Sequence, residues 1–169
     1  MRTDSAQAII QQTLTTTPPA FSDSDAIRIA TGYYGIDSRV RPLVSERDQN
    51  FLLATADGKR FTLKISNHAE REEVIDFQSR ALCHVAERDV LCPLPRVIPN
   101  LDGQLHCTVE AGGKTHFVRV LSWLEGEVLG KATTDPELAR RLGRLLARLG
   151  LALEGFDHPG SNPPLLWDM

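Results

Sequence analysis

The sequence has 169 residues, 41% hydrophobic and 24% charged, which is ordinary globular usage and room for one compact domain rather than two. Nineteen basic against 22 acidic residues leave a formal charge of −3, so a surface that coats nucleic acid is excluded. No apolar run approaches the roughly 18–20 residues of a bilayer span, and Asp4 stands where a signal peptide carries only positive charge. Cys83, Cys92 and Cys107 form no C-x-x-C pair and suit a reducing compartment. The chain therefore reads as a soluble cytoplasmic domain with neither nucleic acid nor membrane as partner.

Residues 1–20 read as an appendage: a short helical pattern from Ala6 to Leu14, broken by Thr15-Thr16-Thr17-Pro18-Pro19. Ser22-Asp23-Ser24-Asp25 offers N-caps for a helix to about Tyr33, stopped by Gly35. Strand patterns follow at Val40–Val44, Asn50–Thr55 and Arg60–Ser66, the last two joined by the turn Ala56-Asp57-Gly58-Lys59. In the third, Phe61, Leu63 and Ile65 share one face and Thr62, Lys64 and Ser66 the other. Asn67 with Glu70 predicts a capping box and a helix to about Glu87, with an apolar stripe at Val74, Phe77, Ala81, Leu82 and Val85. Pro93-Leu94-Pro95 ends that unit. Two more strands are predicted at Leu105–Glu110 and Phe117–Leu121, turning through Ala111-Gly112-Gly113-Lys114. Thr134-Asp135-Pro136-Glu137 caps a last helix that carries Leu138, Leu142, Leu145, Leu146, Leu149 and Leu153 on one face, with arginines opposite. Gly155 to Met169 shows no periodicity. The expected architecture is α+β: a five-stranded antiparallel sheet with a packed helix.

Lys64 admits two readings: a lysine on a solvated sheet face, or a phosphate-contacting lysine followed by the helix that holds it. The strings Pro42-Leu43-Val44-Ser45-Glu46-Arg47-Asp48-Gln49-Asn50-Phe51-Leu52-Leu53 and Phe61-Thr62-Leu63-Lys64-Ile65-Ser66-Asn67 resemble the aminoglycoside phosphotransferase family of kinase-like enzymes. The similarity is greatest to its hydroxylysine-kinase-like branch. That branch also occurs as the N-terminal module of large bacterial proteins ending in a class III, pyridoxal-phosphate-dependent aminotransferase. Asp76-Phe77-Gln78, Pro93-Leu94-Pro95-Arg96-Val97 and Val118 through Gly126 extend the match.

The resemblance implies a kinase-like small lobe over residues 21–126 and the start of a large lobe over 127–169. Ser45 to Gln49 becomes the loop covering the phosphates; it lacks glycine, so Arg47 either supplies charge there or is an ordinary exposed loop residue. Lys64 matches the phosphate-pairing lysine, and Ser122, Trp123 and Leu124 match the hinge whose backbone holds the adenine. The helix residue that meets the lysine is Gln78 where kinases carry Glu; Gln accepts a hydrogen bond but neutralises nothing. Glu73, and less directly Asp76, are the alternative sources of charge.

The family's catalytic His-x-Asp loop and acidic metal motif are absent: none of the five histidines is followed two residues later by Asp. No catalytic residue and no metal site is assigned, and a set of His106, Cys107 and His116 is read as ordinary strand residues. The ending after the leucine helix is read as a truncation. The expectation is thus the nucleotide lobe of a phosphotransferase that uses ATP or GTP and a hydroxylated amine or amino acid, not competent alone. Magnesium belongs to the full-length parent and pyridoxal phosphate to a fused aminotransferase. The rival reading is a non-catalytic ligand-sensing or interdomain packing module. Self-association is expected through Leu138, Leu142, Leu145 and Leu149.

Overall fold

The computed structural model describes residues 16–131 and 135–161; the Ala6–Leu14 helical pattern and the chain after Ser161 lie outside them. The elements are α1 (Asp23–Tyr34), β1 (Arg39–Leu43), β2 (Gln49–Ala54), β3 (Arg60–Ile65), α2 (Glu72–Arg88), β4 (Val97–Ile98), β5 (Cys107–Ala111), β6 (Lys114–Ser122), a 3-10 turn (Leu129–Lys131) and α3 (Pro136–Ala152). All strand pairs are antiparallel, in the order β1-β2-β3-β6-β4, and β5 lies beside β4 along the same far edge of β6. The sheet therefore has six strands rather than five. The sixth is Val97–Ile98, two residues that pair with Leu121 and Val120. So short a segment has no alternation of its own and becomes a strand only through its neighbour.

Helix α1 starts where expected. Ser22 and Asp25 close a reciprocal capping box, and Gly35 ends the helix at φ +65, a conformation that costs glycine little. Its Ala26, Ile29, Ala30 and Tyr34 bury against Phe51, Leu53, Leu63, Ile65, Val118 and Val120 from the central strands. Each fully buried aliphatic side chain contributes about 1.5–3 kcal/mol, so this layer is the main source of stability. The Tyr34 hydroxyl donates to the Val118 carbonyl at 2.9 Å and pins the helix to β6. Gln49 grips both backbone groups of Phe21, at 2.8 Å each, which ties the residues before α1 to the sheet.

Three local expectations change. Asn67 does not cap α2: Arg71 holds the N-cap position and makes no side-chain bond there. Asn67 is wholly buried at the end of β3, and its amide instead binds the Ala69 N–H and the carbonyls of Thr17 and Arg47. The buried face of α2 is Val74, Ile75, Ser79 and Val85, rotated from the predicted stripe. Phe77 turns toward the tail, where its ring stacks on Phe156 at 5.9 Å.

The leucine face of α3 is also divided. Asp135 caps the helix through the Leu138 N–H, and Leu145, Leu149 and Leu153 pack with Val85, Cys92 and Leu94. Leu142 and Leu146 remain 39% and 68% exposed. Helix α2 covers one flank of α3 only, and paired hydrogen bonds from Arg148 to Asp89 fix that contact.

Candidate active site

On the sheet face opposite the α1 core, the register sets Asn50, Lys64 and Arg119 side by side across β2, β3 and β6. Directly paired residues in antiparallel strands project to the same side, so one polar row crosses three strands. The Lys64 ammonium donates to Asn50 Oδ1 at 3.1 Å and pairs with Asp48 Oδ2 at 3.8 Å. Asp48 is fixed in turn by the Asn67 N–H, which donates to its other oxygen at 3.1 Å. Burial holds the Lys64 ammonium below the usual lysine range; Asp48 opposes that shift and Arg119 adds to it.

Arg119 is 3% exposed and points into α2. Its guanidinium donates to Gln78 Oε1 at 2.8 Å and to the Ile75 carbonyl and Ser79 hydroxyl at 3.4 Å each. Burial pushes its pKa down, against the pull of Asp48 and Glu70. No carboxylate among the described residues forms an ion pair with it. Gln78 therefore meets a cation from the sheet, as its position suggested, but that cation is Arg119 and not Lys64. The reason is reach: α2 packs by β4, on the far side of β6 from the Lys64 strand, so Arg119 on β6 is the nearer cation. Glu73 does not supply the missing charge either. It pairs with Arg71 at 3.5 Å and opens onto a separate groove of about 690 Å³, which Asp76, His106 and His158 also line.

The loop between β1 and β2 closes over the row. Ser45 Oγ accepts from the Asn50 amide at 3.1 Å, and Arg47 pairs with Glu70 at 3.8 Å. Arg47 is half-buried, so it is more than an exposed loop residue; its carbonyl accepts from Asn67. At the hinge, the Ser122 N–H donates to the Arg96 carbonyl at 2.8 Å and the Trp123 N–H to the Arg60 carbonyl at 3.2 Å. Those two donors are engaged, and Leu124, next along the chain, is half exposed. The Trp123 ring lies under the Arg60 guanidinium at 6.0 Å. Beyond the predicted residues, the structure adds Asp48, Asn50, Glu70 and Arg119. Asp48 and Asn50 stood inside the first family-like string. Arg119 stood inside the Val118–Gly126 string, a charge between two valines, but its partner required the register.

A lysine in mid-strand beneath a polar hairpin loop has the charge and setting to meet an anionic group such as a phosphate. Residues 39–168 match the phosphotransferase enzyme family. The chain belongs to that family. It is 33% identical over 151 residues to a hydroxylysine kinase of Danio rerio, a match covering 85% of this chain and 42% of the relative. It is 33% identical over 126 residues to a homoserine kinase of Rhizobium meliloti (strain 1021), covering 75% and 34%. Among solved structures, an amicoumacin kinase in complex with AMP-PNP, Ca2+ and Ami superposes with a TM-score of 0.67 at 13% identity, covering 85% of this chain and 43% of that one. That likeness shows the kinase-like fold. The chain thus spans about two fifths of the length of these relatives.

Proposed function

We propose that this domain is the nucleotide-binding lobe of a small-molecule phosphotransferase, one that moves the γ-phosphate of ATP or GTP to a hydroxylated amine or amino acid. The observation that carries the reading is the Asn50–Lys64–Arg119 row, with Lys64 beneath the Ser45–Gln49 loop and the Arg119 guanidinium buried behind it against α2. The names of the relatives support the acceptor class: hydroxylysine and homoserine are both amino acids with a side-chain hydroxyl. Leu124 offers backbone groups to the base, with Ser122 and Trp123 holding the hinge in place through Arg96 and Arg60.

Among the described residues no group of three His, Cys, Asp or Glu side chains is placed to hold a metal ion. In this reading the carboxylates that hold magnesium, and the group that accepts the acceptor's proton, lie in large-lobe sequence. Fusion to an aminotransferase, with its pyridoxal phosphate, remains part of the reading of the parent. Of the residues expected to carry self-association, Leu145 and Leu149 are packed with Val85 and Cys92, which leaves Leu142, beside Leu146, on the exposed side of α3.

Calorimetric titration with ATP and GTP, with and without magnesium, tests the reading on this chain and on Lys64→Ala. Weak binding that magnesium does not change is expected. Removing one charge-assisted contact worth about 1.5–3 kcal/mol should weaken it tenfold or more. Turnover, or tight magnesium-dependent binding, would refute the assignment of catalytic groups elsewhere. Binding untouched by Lys64→Ala would return that lysine to a solvated sheet face. No nucleotide binding in the intact parent would favour the sensing module.

A further inference from the structure

In a lobe whose lysine is held by a helix carboxylate, the lysine's counter-ion stays with the helix. Here the helix side of the row is occupied differently. Gln78 binds Arg119, Glu73 pairs with Arg71, and Glu70 pairs with Arg47. Asp48 is the one carboxylate among the described residues that forms an ion pair with either row cation, and it belongs to the loop that would cover the phosphates.

We infer that Asp48 is a resting counter-ion of Lys64, carried by the covering loop itself, so that arriving phosphate competes with Asp48 for one ammonium and displaces the loop as it binds. This inference rests on the nucleotide-lobe reading. Two observations and one general rule support it. Lys64 and Arg119 are directly opposed on adjacent strands, so with Asp48 moved away the row holds two cations and no paired anion. A phosphate group carries more negative charge than a carboxylate and exchanges well for it at such a site. The loop is held over the row by hydrogen bonds and an ion pair, contacts of the kind a competing anion can replace. Asn67 holds it at two points, by its N–H to Asp48 and by its amide to the Arg47 carbonyl, while Val44 at the other end stands fully exposed.

The consequence runs against the usual effect of deleting a site residue: removing the Asp48 charge should tighten phosphate binding. Asp48→Asn keeps an acceptor for the Asn67 N–H, and Asp48→Ser serves if the first variant does not fold. Each protein is titrated, in a chelator to exclude metal, with ATP, with inorganic tripolyphosphate and with adenosine. ATP and tripolyphosphate should bind the variant about tenfold more tightly, from the loss of one partly screened ion pair, and adenosine equally to both. In Lys64→Ala the Asp48 substitution should have no further effect.

Equal or weaker binding of ATP and tripolyphosphate by the Asp48 variant overturns the inference. If ATP binding depends on Lys64 but ignores Asp48, the latch falls and the nucleotide reading stands. If tripolyphosphate tightens while ATP and adenosine do not bind, the latch stands and the nucleotide reading falls. If no probe binds any form, both fall.

Discussion

Gly160 lies in the tail segment that closes over α2, and it has no room for a side chain. A Cβ built there would sit 2.3 Å from the Glu73 carbonyl oxygen, 3.0 Å from its carbonyl carbon and 3.1 Å from the Phe77 Cβ. Two of the three obstacles are helix backbone, which cannot rotate aside, so Gly160→Ala must lift the segment by roughly 1 Å. Overpacking of this kind costs about 1–3 kcal/mol, and at this chain length each kcal/mol moves Tm by about 2–4 °C, giving a fall of roughly 2–12 °C. The loss has a ceiling, because the segment can release α2 altogether. What it then forfeits is the Phe156 stack on Phe77 and the His158 bond to Asp76 at 3.0 Å. Release leaves the outer face of α2 more open, so amide exchange should quicken in its first two turns. Calorimetric Tm and amide exchange together read the effect. A variant that melts within 1 °C of the parent and exchanges at the same rate over α2 would refute the packing argument.

Two further outcomes follow from the site and from the α2–α3 contact. Arg119→Met removes one good hydrogen bond and two long ones, worth about 0.5–1.5 kcal/mol at most each, and also relieves the burial of a guanidinium with no paired carboxylate, a cost of several kcal/mol. Stability by urea unfolding should therefore change little while ATP affinity falls about tenfold; a collapse of folding with affinity intact would make Arg119 purely structural. Hydrogen bonds from Arg148 hold the Asp89 carboxyl below its ordinary value of 3.8. A depressed folded pKa contributes stability above that ordinary value, lost as pH falls through the lowered one. The Tm gap between the parent and Asp89→Asn should thus persist near neutral pH and close in acid; a gap independent of pH would remove the ion pair from the account.

Local chemistry was legible wherever a residue's partners lie close in sequence. The helix start among Ser22 to Asp25, the Gly35 stop, the Asp135–Pro136 start and the strands around Lys64 all depend on contacts within a few residues, and the alternation of Leu63 and Ile65 against Lys64 already separated the core face from the polar one. Identity of residue type, as in the Ser45–Asn50 and Ser122–Gly126 strings, sufficed to point to the family. What tertiary structure alone decided is who meets whom across long separations. Antiparallel register placed Arg119 opposite Lys64, and the packing of α2 by β4, beyond β6, gave Gln78 to the arginine. The same packing handed the lysine's charge balance to Asp48 in the covering loop and turned Asn67 from a helix cap into a buried clasp. Such pairings follow from where strands and helices come to rest, and that is set by burial summed over the whole sheet rather than by any short stretch of chain.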